Sequence, residues 1–460
     1  MLDAALLKGA LQVPMALGAL EEFTDVTTDS RAIVPGCLFV ALKGERFDGH
    51  RFVAQALQEG ARAAVVSEVP EGVPADRCIQ VDDTLEAYQK IASCWRLKQK
   101  GLTVIAITGS NGKTSTKDCI AAVLGEKYRV IKTQANFNNE IGLPKTLLTI
   151  REDTEMAVVE MGMRGLGQIR AMKHIAFPDA AVITNVGDTH LELLGSLENI
   201  AKAKSEILED FTTKNHAFLN GDDPRVSVME TGATVHTYGI DSDADVKAVE
   251  ITADGLATRF VYRSRITGNT QAVKLPLLGR HNVMNALAAV AVGEVYGVPD
   301  EAIAQGLENL KMTGMRQEIL HFGPVTVIND AYNASPASME AALKTLGDVV
   351  KDQGKGRAIA VLADMLELGA HSRSGHTQVG EWCGKYGVDA LLCYGPESRY
   401  TAEAAEKAGV PVHYVENKEA AAPVLERLVR PDDVVLLKGS HGMEVYSLID
   451  TVFRKGAKTC

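Results

Sequence analysis

A glycine-rich turn followed by a lysine and a threonine lies in the segment AITGSNGKTSTK, residues 106–117. Gly109 and Gly112 allow the backbone to bend sharply and to approach an anion closely. The N–H groups of such a turn, and of a helix that follows it, can surround phosphate oxygens. Lys113 adds a positive charge, and the hydroxyl of Thr114 can bind magnesium. This spacing, TGxxGK[ST], predicts a site for the phosphates of a nucleoside triphosphate.

The turn departs from the common phosphate-loop pattern GxxxxGK[ST], because Ile107 stands where that pattern has its first glycine. The alternative is a chance glycine turn before a helix, but the apolar strand TVIAIT that precedes the turn favours a phosphate loop. Switches, motors, kinases and ligases share such loops, so the rest of the site must decide the reaction. The residues expected to contact the nucleotide here are Gly109, Ser110, Asn111, Gly112, Lys113, Thr114 and Ser115.

Two candidate metal ligands follow apolar strands in the segments AVVEMG and AVITNVGDTH. Glu160 ends the first strand, and His190 lies just beyond the second. In an open α/β sheet, ligands bind at the carboxyl ends of the strands. Glu160 could therefore hold magnesium, although a strand-end glutamate can also simply face solvent. Histidine is an unusual ligand for magnesium, which prefers oxygen, so His190 could instead have a structural role.

Lys202 and Lys204 lie in the helical segment NIAKAKSEI, which follows the second strand. A protonated lysine cannot bind a cation. Burial lowers the pKa of a lysine amine, and the neutral amine can take up carbon dioxide as a carbamate whose oxygens bind metals. The residues alone nevertheless favour the simpler alternative, in which both lysines are solvated charges on the helix surface.

Short apolar runs alternate with helical segments from about residue 100 to residue 315, and again from about residue 325 onward. Such alternation is typical of parallel sheets covered by helices on both faces. The first hundred residues carry β-like runs, CLFVAL and AAVVS, before the helical segment LEAYQKIASCWRLKQKG. We therefore predict an α/β protein of three domains, residues 1–98, 99–314 and 315–460, with a Rossmann-like third domain.

Composition excludes several classes of function. The net charge of −11, from 48 basic and 59 acidic residues, argues against a nucleic-acid partner. The seven cysteines form neither CxxC pairs nor a cluster with histidines at metal spacing, which favours reduced thiols. No apolar run has the length of a membrane span, and the apolar N-terminal segment lacks a basic leader and predicts a helix. We expect a soluble, cytoplasmic protein.

Taken in order, a series of motifs resembles the Mur ligase family, the ATP-dependent amide-forming enzymes of bacterial cell-wall synthesis. The resemblance covers essentially the whole chain. It rests on TGSNGKTS, EMG, ITNVGDTHLE, AKAKSEI, NGDDP, GRHNVMNALAA, GMR and DAYNASP. It implies that the enzyme uses ATP and Mg²⁺, and that a lysine about fourteen residues after the histidine is carbamylated. Counting from His190 gives Lys204 as this N6-carboxylysine.

The resemblance also implies a role for each site residue. Asn282 and Asn285 would meet the adenine, and Arg316 and Asp330 would hold the nucleotide from the linker and the third domain. Asn139 would lie beside an acyl phosphate. The implied magnesium ligands are Thr114, Glu160, His190 and carbamylated Lys204, and the implied catalytic residues are Lys113, Asn139, His190 and Lys204.

Three segments resemble one branch of the family, which adds D-alanyl-D-alanine to UDP-MurNAc-tripeptide through an acyl phosphate. They are TQANFNNEIGLP, NDAYNASPASM and DMLELG. A sister ligase that adds a single amino acid is the main alternative, but its DNPR-type motif is missing from the last domain. A phosphate-loop switch or motor, a folate-type ligase and a non-catalytic UDP-sugar-binding protein are weaker alternatives.

The N-terminal segment TTDSRAIVPGCLFVALKGERFDGHRF resembles a uridine-nucleotide-binding domain. Residues 1–98 would thus bind UDP-MurNAc-peptide, residues 99–314 would bind ATP, and residues 315–460 would serve the nucleotide and D-alanyl-D-alanine. We expect a monomer. The polar residues expected at the UDP-substrate are Asp29, Ser30, Arg31, Lys43, Asp48, Gly49 and His50.

Overall fold

Successive groups of sheets and helices form along the chain in the computed structural model, which describes residues 2–13, 22–44, 47–187, 189 and 191–454. The sheets are mostly parallel, with helices packed against them, and this confirms the predicted α/β class. The apolar N-terminal segment is described only in part. Its first helix ends at Leu11, and residues 14–21 lie outside the described residues.

The N-terminal region contains an antiparallel pair of strands, β1 and β2, and a parallel sheet in the order β3-β4-β5-β6. Its strands are β1 (Leu2–Asp3), β2 (Glu22–Phe23), β3 (Val26–Thr27), β4 (Leu38–Val40), β5 (Ala63–Val66) and β6 (Cys78–Gln80). Its helices are α1 (Ala4–Leu11), α2 (Val53–Gln58) and α3 (Thr84–Lys98).

Helix α3 joins this region to the next one. The side chain of Asp83 accepts hydrogen bonds from the first turn of the helix and so begins it. Trp95 Nε1 donates to Ile150 O at 3.1 Å, and Arg96 donates to Asp179 Oδ2 at 2.8 Å. These contacts fix the N-terminal region against the central sheet.

A nine-stranded sheet forms the central region, in the order β15-β14-β13-β12-β11-β10-β7-β9-β8. The strands are β7 (Thr103–Thr108), β8 (Val130–Lys132), β9 (Met156–Glu160), β10 (Ala180–Ile183), β11 (His216–Asn220), β12 (Thr234–Gly239), β13 (Val246–Asp254), β14 (Ala257–Ser264) and β15 (Thr270–Leu275). The sheet is parallel from β8 across to β13, as predicted, whereas β14 and β15 extend it as antiparallel strands. The relatively polar segment DVKAVEITADGLATRFVYRSR, residues 245–265, forms β13 and β14.

Seven helices, counted within the described residues, accompany this sheet. They are α4 (Lys113–Gly125), α5 (Gly142–Leu148), α6 (Gln168–Ala176), α7 (Leu191–Leu194), α8 (Leu197–Ser205), α9 (Arg280–Val295) and α10 (Asp300–Glu308). Helix α9 is buried over most of its length, between the sheet and its neighbours α4 and α10.

The C-terminal region contains a six-stranded sheet in the order β16-β17-β21-β18-β19-β20, parallel except for β16. This doubly wound arrangement confirms the predicted Rossmann-like unit. The strands are β16 (Glu318–Phe322), β17 (Val325–Asn329), β18 (Ala358–Ala363), β19 (Ala390–Tyr394), β20 (Val412–Val415) and β21 (Val434–Lys438). The helices are α11 (Pro336–Gln353), α12 (Ser372–Lys385), α13 (Ser398–Lys407) and α14 (Lys418–Leu428).

In the described part of the chain, no helix combines the length and the apolar character that crossing a membrane requires.

A buried carboxyl on α9 makes the stability of this fold depend on pH. Glu294 is 6% exposed and accepts hydrogen bonds from Ser264 and Thr267. Burial raises its pKa from 4.5 to about 7. The pKa of Glu294 is higher in the folded protein than in the unfolded chain. The contribution of the protonated carboxyl to the free energy of unfolding is therefore complete below about pH 4.5, and it is lost as the pH rises through 7.

Glu294→Gln should therefore gain stability relative to the parent protein as the pH rises. From about pH 5 to about pH 8, the difference in free energy of unfolding should move in favour of the variant by about 2–3 kcal/mol. Urea unfolding of both proteins at the two pH values measures this difference. An equal difference at both values would contradict the prediction.

Candidate active site

The glycine-rich turn joins strand β7 to helix α4 at the carboxyl edge of the central sheet. Gly109 and Gly112 have φ angles of +152° and +80°. A Cβ at Gly109 would collide with the Thr184 side chain, and one at Gly112 would lie 2.6 Å from Asn285 Oδ1. Both positions therefore need glycine, for backbone conformation and for space.

The middle of the turn is bonded to the segment after β10. Ser110 N and Asn111 N donate to the backbone and side-chain oxygens of Asn185, both at 2.9 Å. Ser110 also exchanges hydrogen bonds with Gly187. These two N–H groups are thus occupied, whereas the first turn of a helix has no intrahelical acceptors for its own N–H groups. The start of α4, at Lys113, is the part of the loop best suited to phosphate oxygens.

Lys113 lies folded over the turn. Its Nζ donates to Gly109 O at 2.8 Å and to Ser110 O at 3.1 Å. Burial lowers the pKa of Lys113, the charge of Glu160 opposes this change, and the charge of Arg316 adds to it. An incoming anion would offset the unfavourable burial of this amine.

Glu160 and Thr114 meet beside the loop, although they are far apart in the sequence. Thr114 Oγ1 donates to Glu160 Oε2 at 2.6 Å, and the glutamate is only 3% exposed. Asn138 Nδ2 holds the other carboxylate oxygen at 2.8 Å. The structure therefore excludes the alternative in which Glu160 faces solvent. A hydroxyl and a carboxylate side by side form the hard oxygen donor set that suits Mg²⁺.

Lys204 points inward from α8, whereas Lys202 is exposed. The Lys204 side chain is 2% exposed, and within the described residues its amine makes no hydrogen bond or ion pair. Burial lowers its pKa well below the ordinary value, and the charge of Lys113 lowers it further. Lys204 is therefore not a solvated surface charge, and its amine is disposed to be neutral.

His190, the remaining predicted magnesium ligand, lies outside the described residues. Within them, no three histidine, cysteine, aspartate or glutamate side chains cluster as a metal site. Of the four predicted magnesium ligands, only Glu160 is both a residue of one of these four types and a described residue. The predicted ligand set therefore stays a prediction.

Asn282 and Asn285 connect α9 to the loop helix and to the linker before β16. Asn285 Oδ1 accepts from Thr116 Oγ1 at 3.1 Å, and its Nδ2 donates to Asn282 Oδ1 at 3.1 Å. Asn282 Nδ2 donates to Gln317 Oε1 at 2.7 Å. No short motif in the sequence predicts this contact of Gln317.

Arg316 and Asp330 lie next to this network. The Arg316 guanidinium stacks over the Tyr332 ring at 3.7 Å, and its buried Nε has no hydrogen-bond partner among the described residues. Asp330 accepts from Lys438 Nζ at 2.5 Å and from Gln317 N at 3.3 Å. Lys438 was missed by the sequence analysis, although its place at the end of strand VVLLK was a usable signal.

His281 was also missed, although it lies within the motif GRHNVMN. His281 is exposed in the first turn of α9. Its Nε2 is 3.2 Å from Gln317 Nε2. His281 thus joins the same network of α9 and linker side chains.

Asn139 is exposed and lies three residues before α5. Its Oδ1 accepts from Gly142 N at 2.8 Å, and its amide nitrogen has no hydrogen-bond partner among the described residues. The side chain could therefore donate to a substrate oxygen. The neighbouring Asn138, rather than Asn139, contacts Glu160.

The polar residues of the predicted UDP site form two small clusters. Asp29 accepts from the backbone and the guanidinium of Arg31, which lowers its pKa to about 2, with a smaller contribution from the charge of Lys145 on α5. Ser30, between them, is half-buried.

The second cluster surrounds His50. The ring is 7% exposed, with Nδ1 2.7 Å from Asp48 Oδ1 and Nε2 accepting from Ser67 N at 2.9 Å. Lys43 is exposed and pairs with Asp48 as a β-bridge, and a Cβ on Gly49 would lie 2.8 Å from Leu42 O. His50 supports this loop, and its contact with a uridine nucleotide stays a prediction.

Three family models match the chain in succession. Residues 22–96 match "Mur ligase family, catalytic domain", residues 107–293 match "Mur ligase middle domain", and residues 315–441 match "Mur ligase, glutamate ligase domain". A curated relative, the UDP-N-acetylmuramoyl-tripeptide--D-alanyl-D-alanine ligase of Bacillus subtilis (strain 168), is 42% identical over 430 residues, which cover 92% of each chain.

Solved structures agree with these matches. MurF from Acinetobacter baumannii superposes with a TM-score of 0.88 at 31% identity and covers 98% of this chain and 99% of its own. MurF ligase from Thermotoga maritima, solved in complex with ADP, has a TM-score of 0.82 at 28% identity and covers 95% and 98%.

Proposed function

The chain belongs to the Mur ligase family, and from this we propose that it joins D-alanyl-D-alanine to UDP-N-acetylmuramoyl-tripeptide at the expense of ATP. The resemblance drawn from the sequence is confirmed. The observation that carries the proposal is the group of Lys113, Thr114, Glu160 and buried Lys204 around one phosphate loop, in a chain that matches such ligases over nearly its whole length. The reaction would serve the synthesis of peptidoglycan.

Mg²⁺ would be held by Thr114 Oγ1 and the Glu160 carboxylate, with His190 and modified Lys204 as further ligands. The support from the structure is the 2.6 Å contact between the first two side chains and the burial of Glu160. Bound there, the ion would neutralise charge on the phosphate oxygens of the substrate. Asn138 would keep the carboxylate turned toward Thr114.

Lys204 would carry a carbamate. The neutral amine nitrogen attacks the carbon of carbon dioxide, a C–N bond forms, and the nitrogen gives up a proton to solvent. Burial and the nearby charge of Lys113 favour the neutral amine that this reaction needs. The product is an anion, which would offset the positive charge of Lys113 and of any bound cation.

The chemistry would run in two steps. First, an oxygen of the tripeptide's terminal carboxylate attacks the γ-phosphorus of ATP, forming an acyl phosphate while ADP leaves. Second, the amine of D-alanyl-D-alanine attacks the acyl carbon, loses a proton, and expels inorganic phosphate as the amide bond forms. Lys113, Arg316 and the first-turn N–H groups of α4 would hold the phosphates, and Asn139 would donate to the acyl phosphate.

The remaining assignments are proposals of the same kind. Residues 1–98 would bind the UDP-substrate through the Asp29 and His50 clusters, residues 99–314 would bind ATP with Asn282 and Asn285 at the adenine, and residues 315–460 would bring Asp330 and the dipeptide. The protein would work as a monomer in the cytoplasm, where ATP is available. The described cysteines are all free thiols, which fits that reducing compartment.

Phosphate release tests this function directly. The enzyme receives ATP, Mg²⁺ and UDP-MurNAc-tripeptide, in its lysine and diaminopimelate forms, with and without D-alanyl-D-alanine. Release that requires both acceptor substrates, with a product whose mass has grown by the dipeptide less water, is the expected result. Release satisfied by a single amino acid would instead identify a sister ligase, and release without any acceptor would identify a hydrolase.

A further inference from the structure

A buried aspartate fastens the linker between α10 and β16 to the phosphate-loop helix. Asp118 lies on α4, one helical turn after Thr114, and its side chain is 0% exposed. Its Oδ2 accepts from Thr313 N at 2.8 Å, and its Oδ1 accepts from Thr313 Oγ1 at 3.0 Å. Both polar groups of one linker residue are therefore bonded to the helix that begins the nucleotide site.

Two lysines compensate the charge of Asp118. Lys132 Nζ, from β8, is 2.7 Å from Asp118 Oδ1, and Lys117 Nζ is 3.6 Å from it. Lys117 also donates to Thr133 O at 2.8 Å. A buried ionic group persists only with excellent geometry and satisfied partners, and such groups fix geometry more than they add stability. Asp118 is thus a rigid attachment point.

The other end of the linker is fastened to α9 and to the C-terminal region. Gln317 Oε1 accepts from Asn282 Nδ2 at 2.7 Å, and Met315 O accepts from Tyr332 N at 3.1 Å. The two residues that make these contacts, Met315 and Gln317, both have left-handed backbone conformations, with φ of +59° and +50°. Residues with a Cβ adopt this conformation only when their surroundings impose it.

Arg316 lies between these two strained residues, so their conformation sets its direction. Its guanidinium stacks on Tyr332 at 3.7 Å, and its buried Nε lacks a partner among the described residues. A buried donor without an acceptor is unfavourable unless a ligand supplies one. Gln317, the next residue, is joined through Asn282 and Asn285 to Thr116 on α4, and this chain of hydrogen bonds ties the linker at Arg316 to the phosphate-loop helix.

We propose that Asp118 is a positioning residue that acts through Thr313 to hold Arg316 toward the phosphates of the bound nucleotide. The inference rests on the proposed nucleotide site. It adds to that site the hydrogen bonds between Asp118 on α4 and Thr313 in the linker, which would keep Arg316 in a fixed position relative to the phosphate loop.

A double-mutant cycle on the full-length protein tests this connection. Thr313→Val keeps the shape of the side chain and removes its hydroxyl, whereas Thr313→Ser keeps the hydroxyl. Isothermal titration calorimetry measures the Kd for the ATP analogue AMP-PNP with Mg²⁺. We expect Thr313→Val to raise Kd about tenfold and Thr313→Ser to change it by less than about twofold.

The Arg316→Ala background separates positioning from a general structural effect. If Thr313 acts through Arg316, Thr313→Val should change Kd less than about twofold once the guanidinium is gone. An equal loss in both backgrounds, or no loss in the parent background, would overturn the proposal. So would an Arg316→Ala variant that binds AMP-PNP as well as the parent protein does.

Asp118→Asn provides a second, independent variant of the same size without the charge. It should show the same dependence on Arg316, and an equal loss of affinity with and without Arg316 would again reject the proposal. Thermal unfolding verifies that each variant is folded. Because this assay needs neither the UDP-substrate nor the dipeptide, it remains interpretable if the ligase assay fails.

Discussion

Lys113→Met should lower kcat for ligation by about a thousandfold, because the methionine keeps the length of the side chain and removes its charge. Phosphoryl transfer depends mostly on positioning and on neutralising charge. Lys113 is the cation whose Nζ already lies over the turn, bonded to the carbonyls of Gly109 and Ser110. Steady-state phosphate release at saturating substrates measures the loss.

The same substitution should not destabilise the protein when no nucleotide is bound. Burial lowers the pKa of Lys113, so the folded state disfavours the charged amine. Lys113→Met should therefore unfold at the same temperature as the parent protein, or at a higher one, without nucleotide. It should also lose most of the rise in Tm that Mg²⁺-ATP gives the parent protein. A lower Tm without nucleotide would show that the activity loss reflects damaged folding.

Lys204→Ala should lower kcat by about a hundredfold or more, since it removes the carbamate proposed to neutralise and orient charge at the site. The alanine leaves space in a buried pocket. Short carboxylates such as acetate, added at millimolar concentration, should therefore restore part of the activity. The measurement is phosphate release with and without the carboxylate, beside a chloride control of equal ionic strength.

Lys202→Ala is the matched control, because Lys202 lies on the same helix with its side chain exposed. It should keep kcat within about twofold of the parent value, as expected for a surface position. Removing dissolved carbon dioxide and bicarbonate should lower the activity of the parent protein and leave Lys204→Ala unchanged. Full activity of Lys204→Ala without any carboxylate would remove the carbamate from the mechanism.

Strand ends were the features that the sequence analysis located best. The buried, parallel strands have uninterrupted apolar runs, so TVIAIT and MAVVE could be recognised and their carboxyl ends placed at one edge. Both Thr114 and Glu160 were accordingly predicted as magnesium ligands at this edge, and the structure has them in contact at 2.6 Å. Strands of two or three residues, such as β1, β2, β3 and β6, carry too few residues for a pattern.

Side-chain burial on helices was less predictable. Lys202 and Lys204 share one short segment, and successive residues of a helix face different directions, so only the packing of α8 decides which one is inside. The residues alone favoured exposure for both, and the structure shows this to be wrong for Lys204. The resemblance to a family corrected that preference, which no local pattern could have done.

Long-range polar contacts were the least predictable part of the site. Asp118 and Thr313 are separated by 195 positions, and neither lies in a recognisable motif. The one usable signal was a charged residue on the apolar face of KTSTKDCIAAVL, where an aspartate needs a partner. Such a signal says that a partner exists, but only tertiary structure says which residue it is.

Strands β14 and β15 lie at one end of the central sheet, away from the phosphate loop. Strand β7, which leads into the phosphate loop, lies between β9 and β10, and four strands stand between it and β14. The tight turn at Gly255 before β14 is open, with nothing within 4 Å of an added Cβ. Lengthening the chain there would leave every strand of the site in register. This edge is thus a natural place to attach a label or a surface tether while the enzyme works.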